Sequence, residues 1–114
     1  MIDGLFSKGK SFVVYPFRVV YLSVSKENEG NSPVSVLMSV SKKKFKSAVK
    51  RNRIKRLMKE AYRINKHIVY QTLTHPEKRI IVAFIYLDNE IKDYSFTERK
   101  MIETLNCLSK RLEQ

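Results

Sequence analysis

Apolar positions along the chain switch repeatedly between a two-residue and a helical period, and each switch marks a predicted element. Residues 16–26 (PFRVVYLSVSK) are rich in β-branched and aromatic side chains, the signature of a strand. Phe17, Val19 and Tyr21 would face one side of it, and Arg18, Val20 and Leu22 the other. The polar run 27–33 (ENEGNSP) predicts a turn, and a second strand follows over Val34–Val40. From about Ser47 the spacing becomes helical, with Ile54, Leu57, Met58, Ala61, Ile64 and Ile68 recurring at three- and four-residue steps. The pattern leaves open whether residues 66–76 continue this helix or form a second, short one. Residues 79–87 (RIIVAFIYL) run apolar without interruption after Arg79, which suits a strand covered on both faces. After a polar loop at 88–93, a last helix is expected from near Ser95, where Ser95 and Glu98 have capping-box spacing. Met101, Ile102, Leu105, Leu108 and Leu112 would form its buried stripe. At the other end, Ile2, Leu5 and Phe6 predict a short amphipathic helix over 2–8, ended by Gly9. No internal repeat or linker interrupts this order, so the reading is one α+β domain over residues 1–114.

Composition supports a packed domain. Hydrophobic residues make up 43% of the 114, and three Gly and three Pro exclude collagen-like or low-complexity architecture. No apolar run approaches the roughly 18 residues of a membrane span. The opening MIDGLFSKGK lacks an apolar signal core and a small-residue cleavage site, so a cytoplasmic location is expected. Cys107, the sole cysteine, can form neither an internal disulfide nor a cysteine-based metal site.

Charge changes the picture most. There are 23 Lys and Arg against 11 Asp and Glu, a net charge of +12. Residues 42–66 hold 12 of those bases and one acid, Glu60, leaving 11 bases against 10 acids everywhere else. Nearly the whole net charge therefore sits on one helix and the turn before it. A field this localised calls for a polyanionic partner, nucleic acid first among them. On the predicted helix, Ile54, Leu57, Met58, Ala61 and Ile64 share one arc, while Arg51, Arg53, Lys55, Arg56, Lys59 and Arg63 take the opposite and flanking arc with Asn52. Arg51, Lys55 and Lys59 step by four and would line up about 6 Å apart, near the spacing of successive phosphates.

Helix stability alone does not account for this arrangement. Lys46, Lys50 and Arg51 crowd the helix start, where the macrodipole disfavours cations, and Glu60 alone relieves repulsion between like charges one turn apart. A phosphate at the helix start would relieve both penalties. A membrane-surface helix would place Trp or Phe on its apolar face, and this face is needed for the core.

The run Phe45-Lys-Ser-Ala48-Val-Lys-Arg51-Asn52-Arg53-Ile54-Lys55-Arg56-Leu-Met58-Lys59 resembles the signature of the bacterial ribonuclease P protein subunit. Arg51-Asn52-Arg53 matches its RNR core, and no position of the run departs from it. Ser39-Val40-Ser41-Lys42-Lys43 and the order of elements are similar too, so the resemblance covers essentially the whole chain. It implies an α/β sandwich with a left-handed βαβ crossover around the RNR helix, where pattern alone would give a right-handed one. It also implies a partner, the catalytic RNA of ribonuclease P. With that RNA the protein would remove the 5′ leader from precursor tRNA, the RNA performing the chemistry with Mg²⁺. The RNA-contacting residues implied are Lys42, Lys43, Lys50, Arg51, Asn52, Arg53, Lys55, Arg56, Lys59 and Arg63. Phe6 matches an aromatic position of the family's leader-binding cleft, with Arg18 and Val20 as further candidates. Ile2 and Val20 stand where the family often carries aromatics. The chain begins about where the family's first helix is under way, so the basic tail ahead of that helix is expected to be missing.

Other features have plainer readings. His67 and His75 lack a second ligand at metal spacing. Cys107 lies beside an apolar stripe and is expected to be a semi-buried thiol. Asp88, Glu90 and Asp93 are expected to be solvated loop charges around Lys92. Tyr15, Tyr21, Tyr62, Tyr70, Tyr86 and Phe84 are expected in the core and at its boundary. Two rivals to the ribonuclease P reading are a ribosomal or other structured-RNA protein using the same helix, and a self-sufficient nuclease.

Overall fold

The computed structural model describes residues 9–25, 34–73 and 78–113. The predicted 2–8 helix with Ile2, Leu5 and Phe6, the 27–33 turn and His75 lie outside them. Among the described residues four strands form one sheet: β1 (Lys10–Val14), β2 (Phe17–Ser25), β3 (Val34–Val40) and β4 (Lys78–Tyr86), in the order β1-β2-β4-β3. β1 and β2 form a hairpin, β2 pairs antiparallel with β4, and β3 runs parallel to β4. The described residues also form three helices: α1 (Ala48–Asn65), the single turn α2 (His67–Tyr70) and α3 (Tyr94–Leu112). The parallel β3–β4 pair places α1 and α2 in its crossover, as the sequence order requires.

The apolar run in the third predicted strand is explained by β4's central place. Ile80, Val82, Phe84 and Tyr86 join Phe17, Val19 and Tyr21 of β2 in the main core under the helices. Ile81 and Ala83 point to the opposite face and pack with Val20, against Leu22 and Ile85. The alternation predicted for β2 is thus the observed one. β1 was not expected: its alternation is only five residues long, and Gly9 reads as a helix end. Phe12 is its buried anchor, packed edge-on against Tyr21 and covered by the Arg111 guanidinium, 4.7 Å from the ring centroid. That contact ties the end of α3 to the edge of the sheet. Tyr15, expected in the packing, stands 56% exposed in the turn between β1 and β2.

Helix α1 starts where predicted, with the Ser47 hydroxyl accepting from Lys50 N at 3.3 Å. Its buried positions are Ile54, Met58, Ala61 and Asn65. Ile64, expected in the stripe, is 46% exposed. The buried row steps 4, 3, 4, which turns residue 65 inward and residue 64 out. Helix α3 begins two residues before the predicted start. Its cap is Asp93, whose carboxylate accepts from Phe96 N at 2.9 Å and whose carbonyl accepts from Thr97 N and Thr97 Oγ1. Glu98 does not close a capping box with Ser95; it turns toward Asn65 of α1. Met101, Leu105 and Leu108 are buried as expected, joined by Thr97 and Thr104. Thr104 satisfies its hydroxyl on the Lys100 carbonyl at 2.6 Å.

Candidate nucleic-acid interface

The basic segment begins in a built turn, not a loose loop. Phe45 N donates to Ser41 O at 3.0 Å, and Lys43 N to the Ser41 hydroxyl at 3.1 Å. Phe45 is buried and its ring lies against Tyr86, centroids 6.2 Å apart. Lys44 donates its ammonium to the Leu87 carbonyl. Lys42, Lys43 and Lys46 are left exposed.

On α1 the residues opposite the buried row form an exposed crest: Asn52, Arg56, Lys59 and Arg63, flanked by Arg53 and, at the first turn, Lys50. The row Arg51–Lys55–Lys59 is not that crest. Arg51 and Lys55 are half-buried on its flank, and the Arg51 Nη1 donates to Phe45 O at 2.7 Å and Lys46 O at 2.9 Å. Arg63 is held by Glu60 through two contacts, 2.6 and 3.2 Å, and its guanidinium keeps the Glu60 carboxyl below the usual range. Arg63 therefore stands on the crest with much of its charge offset, whereas no anion is bound to Arg53, Arg56 or Lys59 among the described residues.

Arg18 and Val20 share the sheet face turned away from the helices, two positions apart on β2. Arg18 is exposed beside Val13 and Ile85, its register partners. Val20, 3% exposed, is part of the floor and not a reaching group. Phe6, the third cleft candidate, lies outside the described residues.

Of the loop acids expected to be solvated, Glu90 and Asp93 are exposed and Asp88 is not. Asp88 is buried, accepts from Glu90 N at 3.0 Å and lies 3.8 Å from Lys92 Nζ, which also meets Glu90 at 3.2 Å. Asp93 caps α3. Among the described residues no group of three or more His, Cys, Asp or Glu could hold a metal ion. Nor is any helix among them long and apolar enough to cross a membrane. Cys107 is half-buried near Arg111, as expected for a packed thiol.

The sequence reading missed that Lys44 and Arg51 would spend their donors on backbone carbonyls. Their partners lie 43 and 5–6 residues away, and a charge count gives no sign of either.

Comparison with known proteins agrees with this geometry. The family described as Ribonuclease P matches residues 1–113. A ribonuclease P protein component of Porphyromonas gingivalis is 45% identical over 104 residues, covering 91% of this chain and 74% of the relative. That of Chlorobaculum tepidum is 35% identical over 124 residues, covering 99% and 79%. Among solved structures, the RNase P protein of Thermotoga maritima superposes with TM-score 0.71 over 93% of this chain and 89% of that one, at 22% identity. The Staphylococcus aureus RNase P protein gives TM-score 0.64 at 25% identity over 96% and 88%.

Proposed function

The chain belongs to the ribonuclease P protein family and is the protein subunit of a precursor-tRNA-cleaving holoenzyme; from that premise we propose how its surfaces divide the work. Asn52, Arg56 and Lys59 on the crest of α1, Arg53 beside it, and the turn lysines Lys42 and Lys43 meet the phosphates of the ribonuclease P RNA. Lys50, Arg51 and Lys55 flank or support the crest, and Arg63 stands on it already paired with Glu60. The carrying observation is that exposed cations cluster on this helix face and its turn, with no acidic partner for Arg53, Arg56 or Lys59 among the described residues. Neutralising about six to eight phosphates there would make binding strongly salt-dependent.

The second partner is precursor tRNA, whose 5′ leader lies along the opposite sheet face. Arg18 supplies an exposed cation there above the buried Val20, and Phe6 is the residue we assign to stacking on a leader base, a contact worth about 1–3 kcal/mol per base. Mg²⁺ is the reaction's metal, and its ligands are the RNA's. The described acids do not fit a protein-held site, since Asp88 and Glu90 are both engaged by Lys92 and Asp93 caps a helix. The protein's own part is to screen phosphate repulsion and orient two RNAs, in the cytoplasm.

The test is cleavage of precursor tRNA by a bacterial ribonuclease P RNA at low Mg²⁺, with and without this protein. Strong stimulation giving mature 5′ ends is expected. Tight, salt-sensitive RNA binding with no stimulation would overturn the leader and precursor-tRNA assignments and point to another structured RNA.

A further inference from the structure

Within the RNR run, neighbouring side chains have opposite fates. Lys50, Asn52 and Arg53 are exposed, while Arg51 between them is half-buried. Its Nη1 carries two hydrogens and faces two carbonyls, Phe45 O at 2.7 Å and Lys46 O at 2.9 Å. Both carbonyls belong to the turn that feeds α1. Arg51 thus returns from the first turn of the helix to the chain that enters it.

The other end of the turn is fixed separately. Lys44 reaches the Leu87 carbonyl beyond β4, and the buried Phe45 ring leans on Tyr86. Two of the segment's cations, the exposed Lys44 and the half-buried Arg51, are therefore committed to backbone carbonyls as anchors, while Lys42, Lys43 and Lys46 are exposed. A lysine on a slack turn would have to order both backbone and side chain when it meets a phosphate. A lysine on a pinned turn orders its side chain alone, so the entropic cost of binding is smaller.

We propose that Arg51 is a positioning residue: its guanidinium is committed to the turn's carbonyls, and it strengthens RNA binding by holding Lys42, Lys43 and Lys46 in place instead of taking a phosphate itself. The proposal rests on the reading that this face binds ribonuclease P RNA, and it assigns one residue of the motif a task different from that of its neighbours.

Two measurements decide it. In the free protein, amide exchange across residues 42–47 should be at least tenfold faster in Arg51→Gln than in the wild type, with β4 unchanged; equal exchange overturns the proposal. In RNA titrations, Arg51→Gln should weaken binding about tenfold when the turn lysines are present. It should weaken binding less than twofold in a Lys42→Ala/Lys43→Ala/Lys46→Ala background. The same loss in both backgrounds would make Arg51 a direct phosphate ligand and overturn the proposal. Should Arg51→Gln fail to fold, the free wild-type protein labelled with ¹⁵N-arginine still decides: resolved Nη1 protons are expected for Arg51, and a freely rotating guanidinium overturns the assignment. The exchange and labelling experiments use no RNA, so a failure of the interface reading would show separately, as weak or salt-independent binding by the wild type.

Discussion

Asn65 near the end of α1 and Glu98 near the start of α3 are joined side chain to side chain, Asn65 Nδ2 donating to Glu98 Oε2 at 3.2 Å. The same amide nitrogen donates to Ala61 O at 2.9 Å, so both of its hydrogens are used. Asn65 is 8% exposed, and an amide buried without partners would be costly. Asn65→Ala is therefore expected to destabilise the fold by about 1–3 kcal/mol, since it leaves the Glu98 carboxylate short of a donor. Glu98→Gln keeps an acceptor oxygen at the same place and should cost less. Urea unfolding of the two variants checks the order; equal costs would mean the contact contributes little.

The crest makes a prediction that separates its members. Arg53→Ala and Arg56→Ala should each weaken binding to ribonuclease P RNA and lower the log–log salt slope by about one. Arg63→Ala should lower it less, because Glu60 already offsets the Arg63 charge in the free protein. Titrations at several KCl concentrations read all three. A slope unmoved by Arg53→Ala and Arg56→Ala would take the crest out of the interface.

How much of this was legible in the sequence depended on whether the signal was local. Val34–Val40 and the start of α1 were placed correctly because period and cap are encoded within a few residues. The crest was legible for the same reason: its cations repeat with the helix. Ile64 and Asn65 were exchanged because the polar residue goes inside only if a partner waits on another helix, and Glu98 is 33 positions away. The start of α3 shifted for a linked reason, Glu98 being drawn to Asn65 while Asp93 capped the helix. At the site, the residue types marked a cationic face, but the carbonyls that claim Lys44 and Arg51 belong to a turn and a strand end that only folding brings near.

Alkaline pH should test the packing where β4 meets the turn before α3. Tyr86 donates its hydroxyl to Glu90 O at 2.7 Å, and burial, with Asp88 nearby, pushes its phenol up to about 12 from an ordinary 10. Burial likewise raises Tyr62. The sign follows from proton counting. Between pH 10 and 12 the folded chain keeps a proton on Tyr86 that the unfolded chain has released, so unfolding releases protons and stability falls as pH rises. The contribution is whole below about pH 10 and gone above about 12. Tyr86→Phe removes the hydroxyl and its ionisation together. It should be less stable than the wild type at neutral pH, having lost the bond to Glu90 O, and should lose less stability between pH 9 and 12. Denaturant midpoints measured across that range would show two curves converging at high pH; parallel curves would mean that Tyr86 ionises alike in the folded and unfolded chains.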